Sequence, residues 1–417
     1  MKTVVIVAGC QSYRTADFVA AARLLRLDTL IATDAAEPIG GTAGHLEIDL
    51  SDSVGSAEQI ATAAPDADAV VAVDDEGVQT AALAAGALGL VHNAPEAVSA
   101  TRDKLAMRRL LAAAGVAQPD FAAADPGEVS EAAARLGYPV VVKPTGMSAS
   151  RGVIRVDGAL DASRVEARIR DILGAAGQDP DVPLLVERYV PGHEVVVEGL
   201  LIEGVLRALA VIDKPDPLEG PFFEETMFVT PSRLPGQIQE QAVSLAADAA
   251  TAIGLATGPV HAEVRIPPDG PAQLIEIAAR SIGGLCGRSL SFGLLGESLE
   301  VVILKSALGT PNQKPAPARP ASGVLMLPIP ASGTLSSVEN VEAAKAIEGV
   351  VDVTITIPNG RPVQALPEGD RYLGFVFGAG HTPADVEAAL RRAAATLVVT
   401  IDGEELRSDG IAAIQPR

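Results

Sequence analysis

The first hundred residues alternate short β-rich runs with alanine-rich helical stretches, and this alternation limits the fold more than any other feature of the chain. Residues 4–8 read as a buried strand that ends at Gly9. Residues 17–27 follow as a helix whose apolar positions Phe18, Ala21, Ala22 and Leu25 recur at helical spacing. Residues 29–32 and 69–73 read as further strands, and 60–64 and 79–88 as helices. Parallel strands need a crossover between them, and helices of this length provide it. The pattern therefore implies a Rossmann-like α/β domain, a parallel sheet covered on both faces. The loop after the first strand, GCQSYR at 9–14, lacks the G-x-G-x-x-G fingerprint, which weighs against a nicotinamide or flavin dinucleotide.

The 417 residues allow roughly two to four domains at about 150 residues each. A second unit starts near Ala100, with a helix over 105–114 stopped by Gly115. A strand at 139–144 is closed by Pro144, and a small-residue loop, TGMSASRG at 145–152, precedes a strand at 153–156. A helix over 162–173 and a strand over 184–190 come next. Runs 194–201 and 205–212 flank a Glu203-Gly204 turn as an antiparallel pair. Residues 237–253 form a long amphipathic helix, and 260–266 and 272–277 pair around the turn PPDG at 267–270. Segment 311–320 holds four prolines in ten residues and reads as an extended linker. Beyond it, strands at 323–328, 351–357 and 373–378 and helices at 341–346 and 383–396 make a small α+β unit. The expected domains are 1–100, 101–310 (two subdomains with a hinge near 187–194) and 321–417.

Lys plus Arg total 32 and Asp plus Glu 53, a net charge of −21, with 48% hydrophobic residues. That apolar content belongs to a globular chain. The acidity weighs against a nucleic-acid polymer and against an anionic membrane surface, since both need a basic footprint. Cys10 and Cys286 lie far apart without metal-ligand spacing, so neither a disulfide framework nor a zinc site is expected. The N-terminal apolar run is shorter than a secretory core, and no run of about 18 apolar residues occurs. A soluble cytoplasmic protein is the expectation.

Several familiar motifs are absent. There is no G-x-x-x-x-G-K-[ST], His193-Glu194 is not completed to H-E-x-x-H, and the loop at 146–150 lacks the closing glycine of a nucleophile elbow. What remains is a set of single residues. Lys143 ends an apolar strand, where its ammonium needs an anion, and the following loop of small residues offers backbone N–H groups to phosphate oxygens. The plain alternative is a solvated lysine before an ordinary turn. Glu187 and Glu194, seven residues apart around Pro191-Gly192, fit a hinge beside a nucleoside, although glutamates at strand ends are commonplace. Glu263 and Glu276 sit mid-strand in apolar runs that a short turn would bring side by side. Two buried carboxylates need a cation, and hard oxygen ligands suit Mg²⁺; salt bridges to Arg265 and Arg280 are the alternative. Arg280, four residues after Glu276, would stand at the mouth of the same strand.

Taken in order, these residues resemble the ATP-grasp superfamily along nearly the whole chain. The resemblance implies ATP-grasp central domains in which Lys104 and Lys143 bind ATP phosphates and the loop Ser148, Ser150, Arg151 and Gly152 covers them. It implies that Glu187, Arg188 and Val190 meet adenine, the last two through backbone, that Glu194 holds the ribose, and that Glu263 and Glu276 hold Mg²⁺, with Mn²⁺ as a substitute. A finer likeness is to the L-amino acid ligase branch, carried by SYRTADF at 12–18, EIAARSIGG at 276–284, GVLMLPIP at 323–330 and YLGFVFG at 372–378. Ala278 stands where many superfamily members have a metal-binding Asn, which agrees with this branch. The branch pattern F-x-E-T-G-H-x-x-P-S departs here to Phe223-Glu224-Glu225-Thr226-Met227-Phe228-Val229-Thr230-Pro231-Ser232. Met227 and Phe228 imply a more apolar pocket, with Glu225 left to meet an ammonium group.

The implied chemistry is ATP-dependent amide or peptide bond formation between a small-molecule carboxylate and an amine, amino acids among them, through an acyl phosphate. Arg280 would be the catalytic and substrate-binding residue that orients the carboxylate. Lys104, Lys143, Arg151 and Arg280 are expected to form a local cationic cleft, and homodimers are common in the superfamily. Two rivals remain: a carboxylase or purine-type ligase using bicarbonate, and a non-catalytic nucleotide-binding protein.

Overall fold

The computed structural model describes residues 1–36, 44–293, 295–310 and 321–407. The proline-rich linker at 311–320 and the end of the C-terminal unit from 408 onward lie outside the described residues. Four sheets make up the described chain. The first is fully parallel, in the order Gly44–Glu47, Asp28–Thr33, Thr3–Ala8, Ala69–Ala72. Helices Thr15–Leu24, Ser53–Ala63 and Val78–Ala87 lie between or beside its strands. The strand Gly44–Glu47 contains no β-branched or aromatic residue, so nothing in its composition marks it as a strand.

A small antiparallel sheet orders Phe121–Ala124, Leu184–Arg188, Val140–Lys143 and Ile154–Val156. Its core is shared with helices Val129–Leu136 and Ala159–Ala175 through Ala132, Val142, Ile169 and Leu184. The chain then leaves this sheet at Arg188 and enters a larger one at His193.

The larger sheet has eight antiparallel strands, ordered Gln273–Ala278, Gly258–Ile266, His193–Ile202, Val205–Asp213, Met227–Thr230, Ala321–Leu327, Gly374–Gly380 and Val350–Ile355. Its last three strands come from the unit expected to be a separate small domain, so a boundary after residue 310 does not divide the sheet. The reason lies in burial. Met227–Thr230 and Ala321–Leu327 are buried at every position, and strands apolar on both faces must be covered on both. Pairing Phe228 with Val324 joins them into one surface. Helix Gly236–Ile253 covers one face of the sheet, and helix Pro383–Thr396, opened by a capping box between Thr382 and Asp385, packs near the far end. A fourth sheet, Pro362–Val363, Gly333–Glu339, Val398–Ile401 and Glu404–Arg407, completes the C-terminal part. Among the described residues, no helix is long and apolar enough to cross a membrane.

The N-terminal domain is bolted to the large sheet by Arg14, which is 1% exposed. Its Nη1 donates to Ser281 Oγ and to the Ile282 carbonyl, both at 2.8 Å, and its Nη2 donates to Glu300 Oε1 at 2.9 Å. Asp17 accepts two hydrogen bonds of 2.8 Å from Arg288 nearby. Removing one partner of a buried pair strands the other charge, whereas replacing both with apolar groups is far less costly. Arg14→Met should therefore lower unfolding stability in urea by about 3–5 kcal/mol. The double variant Arg14→Met/Glu300→Leu should recover most of that loss, and a single-variant cost below about 1 kcal/mol would show that this pair does not join the domains.

Candidate active site

A cleft of about 470 Å³ opens between the N-terminal domain, the small sheet and the large sheet. Strand Val140–Lys143 delivers Lys143 into it, beside Glu187 of the antiparallel strand Leu184–Arg188. Lys143 Nζ lies 2.7 Å from Glu187 Oε2, and Arg108 Nε donates to Glu187 Oε1 at 2.5 Å. Arg108 is fully buried and also donates to the carbonyls of Leu274 and Ile275, at 3.1 and 2.6 Å. Burial pushes the Glu187 carboxyl up, but Arg108 and Lys143 outweigh it and hold it at about 2. Arg108 escaped the sequence reading, although it lies one helical turn from Lys104 on helix Lys104–Ala113 and shares its face. Asp103 caps that helix by accepting the N–H groups of Leu105 and Ala106. Lys104 Nζ then donates to the Met147 carbonyl at 2.6 Å and lies 3.5 Å from Glu276 Oε1.

A second cluster surrounds Lys214, which immediately follows strand Val205–Asp213. Its buried ammonium donates to Glu194 Oε1 at 2.5 Å, contacts Glu225, and lies 3.4 Å from Glu263 Oε1. Burial would depress the lysine, yet the three carboxylates raise it well above its ordinary range. Arg265 takes the other oxygen of Glu194 at 2.7 Å. Lys214 also went unnoticed in the sequence, although it repeats the signal that exposed Lys143. Both are lysines at the end of a strand and directly before a proline, Lys143-Pro144 and Lys214-Pro215.

Glu263 and Glu276 face each other in register across strands Gly258–Ile266 and Gln273–Ala278. Both line the cleft, with side chains 19% and 28% exposed. Burial would raise Glu263, but Lys214 and His261 hold it well below the usual carboxylate range. His261 Nε2 lies 3.7 Å from Glu263, while its Nδ1 meets Glu198 at 3.0 Å. Glu198 in turn accepts the Ile282 N–H. Neither Arg265 nor Arg280 makes a direct salt bridge to this pair: Arg265 binds Glu194, and Arg280 binds Asp75 while feeling Glu276 at longer range. Oxygens of Glu194, Glu225 and Glu263 also lie within 4.8 Å of one another, but the Lys214 ammonium sits among them. The Glu263–Glu276 pair is the better fit for a divalent cation, being opposed, cleft-facing and made of hard oxygen donors.

Of the residues expected at a nucleotide site, the cleft gathers Lys104, Lys143, Ser148, Ser150, Glu187, Arg188, Val190, Glu194, Glu225, Glu263, Glu276 and Arg280. Arg151 and Gly152 do not line it. Arg151 pairs with Asp370 at 3.4 Å, and the Gly152 N–H donates to the Pro367 carbonyl at 2.9 Å, so this half of the loop grips the C-terminal part. Other expected contacts are partly occupied within the chain. The Arg188 N–H donates to the Asp120 carbonyl, and the Val190 carbonyl accepts from Arg265, so of these two backbones the Arg188 carbonyl and the Val190 N–H are the groups left to face a base. The Glu187 carboxylate pairs with Arg108 and Lys143, and the two oxygens of Glu194 meet Lys214 and Arg265. The ammonium that Glu225 meets is that of Lys214. Met227 is buried in the C-terminal core with Leu325 and Leu327, so only Phe228 of the two substituted positions reaches the cleft. Arg280 Nε donates to Asp75 Oδ2 of the N-terminal domain at 2.8 Å, and its Nη1 to the Ser281 carbonyl at 3.0 Å. Burial opposes its charge, but Asp75 keeps the guanidinium firmly protonated.

Residues 136–289 match the ATP-grasp domain family, and residues 325–402 match the family described as L-amino acid ligase C-terminal domain 2. An uncharacterized protein of Sinorhizobium fredii is 28% identical over 306 residues, which cover 72% of this chain and 61% of that protein. Alanine–anticapsin ligase of Bacillus subtilis is 27% identical over 234 residues, covering 52% of this chain and 49% of the ligase. The chain thus spans less than two thirds of the length of either relative. The crystal structure of the L-amino acid ligase from Bacillus licheniformis superposes with a TM-score of 0.80 at 24% identity, over 96% of this chain and 99% of that one. The chain has the ATP-grasp fold, and its C-terminal part matches the L-amino acid ligase C-terminal domain model.

Proposed function

We propose that the chain is an ATP-dependent, ADP-forming carboxylate–amine ligase that makes an amide or peptide bond with an amino acid as substrate. The observation that carries this reading is the convergence of Lys104 and Lys143 with the register-paired Glu263 and Glu276 and with Arg280 on one cleft, with Lys214 buried behind Glu263. A carboxylate is a poor acyl donor because its leaving group would be oxide. Attack of a carboxylate oxygen on the γ-phosphorus of ATP breaks the bond to the β-phosphoryl oxygen, releases ADP and leaves an acyl phosphate. An amine then attacks the acyl carbon, inorganic phosphate departs, and the surplus proton of the amine goes to solvent.

The side chains divide this work by charge. Lys104 and Lys143, desolvated and each within reach of a single glutamate, can turn their ammonium groups to phosphate oxygens during in-line transfer. Glu263 and Glu276 would hold Mg²⁺, which would supply positive charge against the charge developing on the phosphates. With Nε and Nη1 of Arg280 committed, Nη2 makes no hydrogen bond to a described residue and would orient the substrate carboxylate. The loop at 148–150 is tied through Arg151 and Gly152 to residues 367–370, which would keep water from the acyl phosphate. The likeness to alanine–anticapsin ligase and to the B. licheniformis enzyme supports an amino acid as the carboxylate or the amine. Ala278 and the C-terminal domain type favour this reading over a bicarbonate-using carboxylase.

With ATP, Mg²⁺ and pooled amino acids, the protein should release ADP and phosphate only when a carboxylate and an amine are both present, and mass spectrometry should find the condensed product. Turnover driven by bicarbonate would favour the carboxylase, and ATP binding without turnover for any pair would favour a nucleotide-binding module. Glu276→Ala should lower ADP release by at least about 100-fold while leaving the unfolding midpoint in place. Full activity in that variant would remove Glu276 from the metal site.

A further inference from the structure

The end of the cleft beyond Lys214 differs chemically from the rest. Its wall is Tyr13 from the N-terminal domain, Phe228, Ile282 and Cys286 from the central part, and Met326 and Tyr372 from the C-terminal part. All three parts of the chain meet there, and one buried ring organises them. Phe375 is fully buried, with Tyr13 and Tyr372 packed edge-on against it at centroid distances of 5.6 and 6.0 Å. Gly284 closes the remaining side. It adopts a φ of +57°, and a Cβ there would meet the Phe375 ring at 3.0 Å, so the turn touches the ring because it lacks a side chain.

No group of this wall carries a charge at neutral pH. Burial pushes the Cys286 thiol and the Tyr372 hydroxyl well above their ordinary values. The charges at the rim are already paired. Asp370 lies 3.4 Å from Arg151 and 4.0 Å from Arg371, and Glu225 meets Lys214. The Lys214 ammonium lies 5.7 Å from the centroid of Phe228 and marks the border between the charged and apolar regions. Arg280, two residues before Ile282, stands at the same border. A carboxylate held there by Arg280 would lay its own substituent against Phe228, Met326 and Tyr372.

We infer that this compartment receives the side chain of the carboxylate-bearing substrate, and that this side chain is apolar. The inference rests on the ligase reading and deepens it to a substrate class. A charged side chain would lose water against a wall that carries no charged group of its own, whereas an apolar one gains from burial.

The test is a panel of amino acids offered as the carboxylate at a fixed, saturating amine, with ADP release as the readout. Leucine, methionine and phenylalanine should exceed aspartate, glutamate, lysine and arginine in kcat/KM by at least about 100-fold. A charged amino acid as the best substrate would overturn the inference and leave the ligase reading standing. Met326→Ala, which shortens one wall, should raise the phenylalanine-to-alanine ratio of kcat/KM by about tenfold. The ratio is internal to one preparation, so partial loss of folded protein does not affect it, and an unchanged ratio would remove Met326 from the compartment. If no amino acid drives ADP release, the ligase reading fails. Calorimetric binding of the same panel to the full chain, with Mg²⁺ and a non-hydrolysable ATP analogue, then decides the compartment. Apolar amino acids binding at least about tenfold tighter than charged ones uphold it, and equal or reversed affinities refute it.

Discussion

Four carboxylates, Glu194, Glu225, Glu263 and Glu276, converge on one wall of a cleft that burial has largely stripped of water, and the rest of the site is built to neutralise them. Unpaired, such a group would take up protons, because desolvation disfavours each negative charge and the neighbours add repulsion. Lys214 answers three of them from a single point. It can do so because strand Val205–Asp213 ends where the neighbouring strands His193–Ile202 and Gly258–Ile266 carry Glu194 and Glu263. Arg265 takes the second oxygen of Glu194, and Lys104 reaches Glu276 from a helix fixed by the Asp103 cap. Sheet register thus sets the electrostatics: a slip of one residue would turn these side chains to the opposite face.

The flanking parts of the chain serve this wall at its edges. Asp75 of the N-terminal domain holds Arg280, and Arg14 of the same domain fixes the turn at 281–282 that follows it. The C-terminal part reaches the loop at 151–152 through Pro367 and Asp370, and reaches residue 11 through Arg371. A parallel α/β domain that could bind a dinucleotide elsewhere here lends one aspartate and one arginine to another domain's site. Its own first loop supplies Gln11, Ser12 and Tyr13 as cleft wall.

Local signals in the sequence were readable where one residue type has one physical use. The lysine closing the strand before Pro144, the Glu203-Gly204 hairpin and the facing positions of Glu263 and Glu276 follow from strand alternation and turn chemistry alone. The partners of these residues were not readable, because they come from distant segments. Arg108 reaches Glu187 across 79 positions and Arg280 reaches Asp75 across 205. The continuity of the C-terminal unit with the central sheet was hidden for a related reason. A run of prolines marks a connection, but only the burial of Ala321–Leu327 on both faces reveals that its strands continue the preceding sheet. Strand Gly44–Glu47 is held by its parallel neighbour rather than by propensity, so its own residues carried no mark of it.

A cleft with free positive charge was expected in an otherwise acidic chain, and the structure gives a different balance. Lys104, Lys143, Lys214, Arg108, Arg265, Arg280 and His261 each face a carboxylate within 4 Å. Their partners are Asp75, Glu187, Glu194, Glu198, Glu225, Glu263 and Glu276, so each positive group on this wall is matched by a negative one. A nucleoside triphosphate is a polyanion. Entering such a wall, it must draw lysines away from their glutamates and leave those glutamates short of counter-charge. On the ligase reading, Glu263 and Glu276 would then hold a divalent cation, whose positive charge would offset both the released carboxylates and the phosphates. On that reading, a wall whose lysines are already ion-paired favours a nucleotide that arrives with its cation over the nucleotide alone.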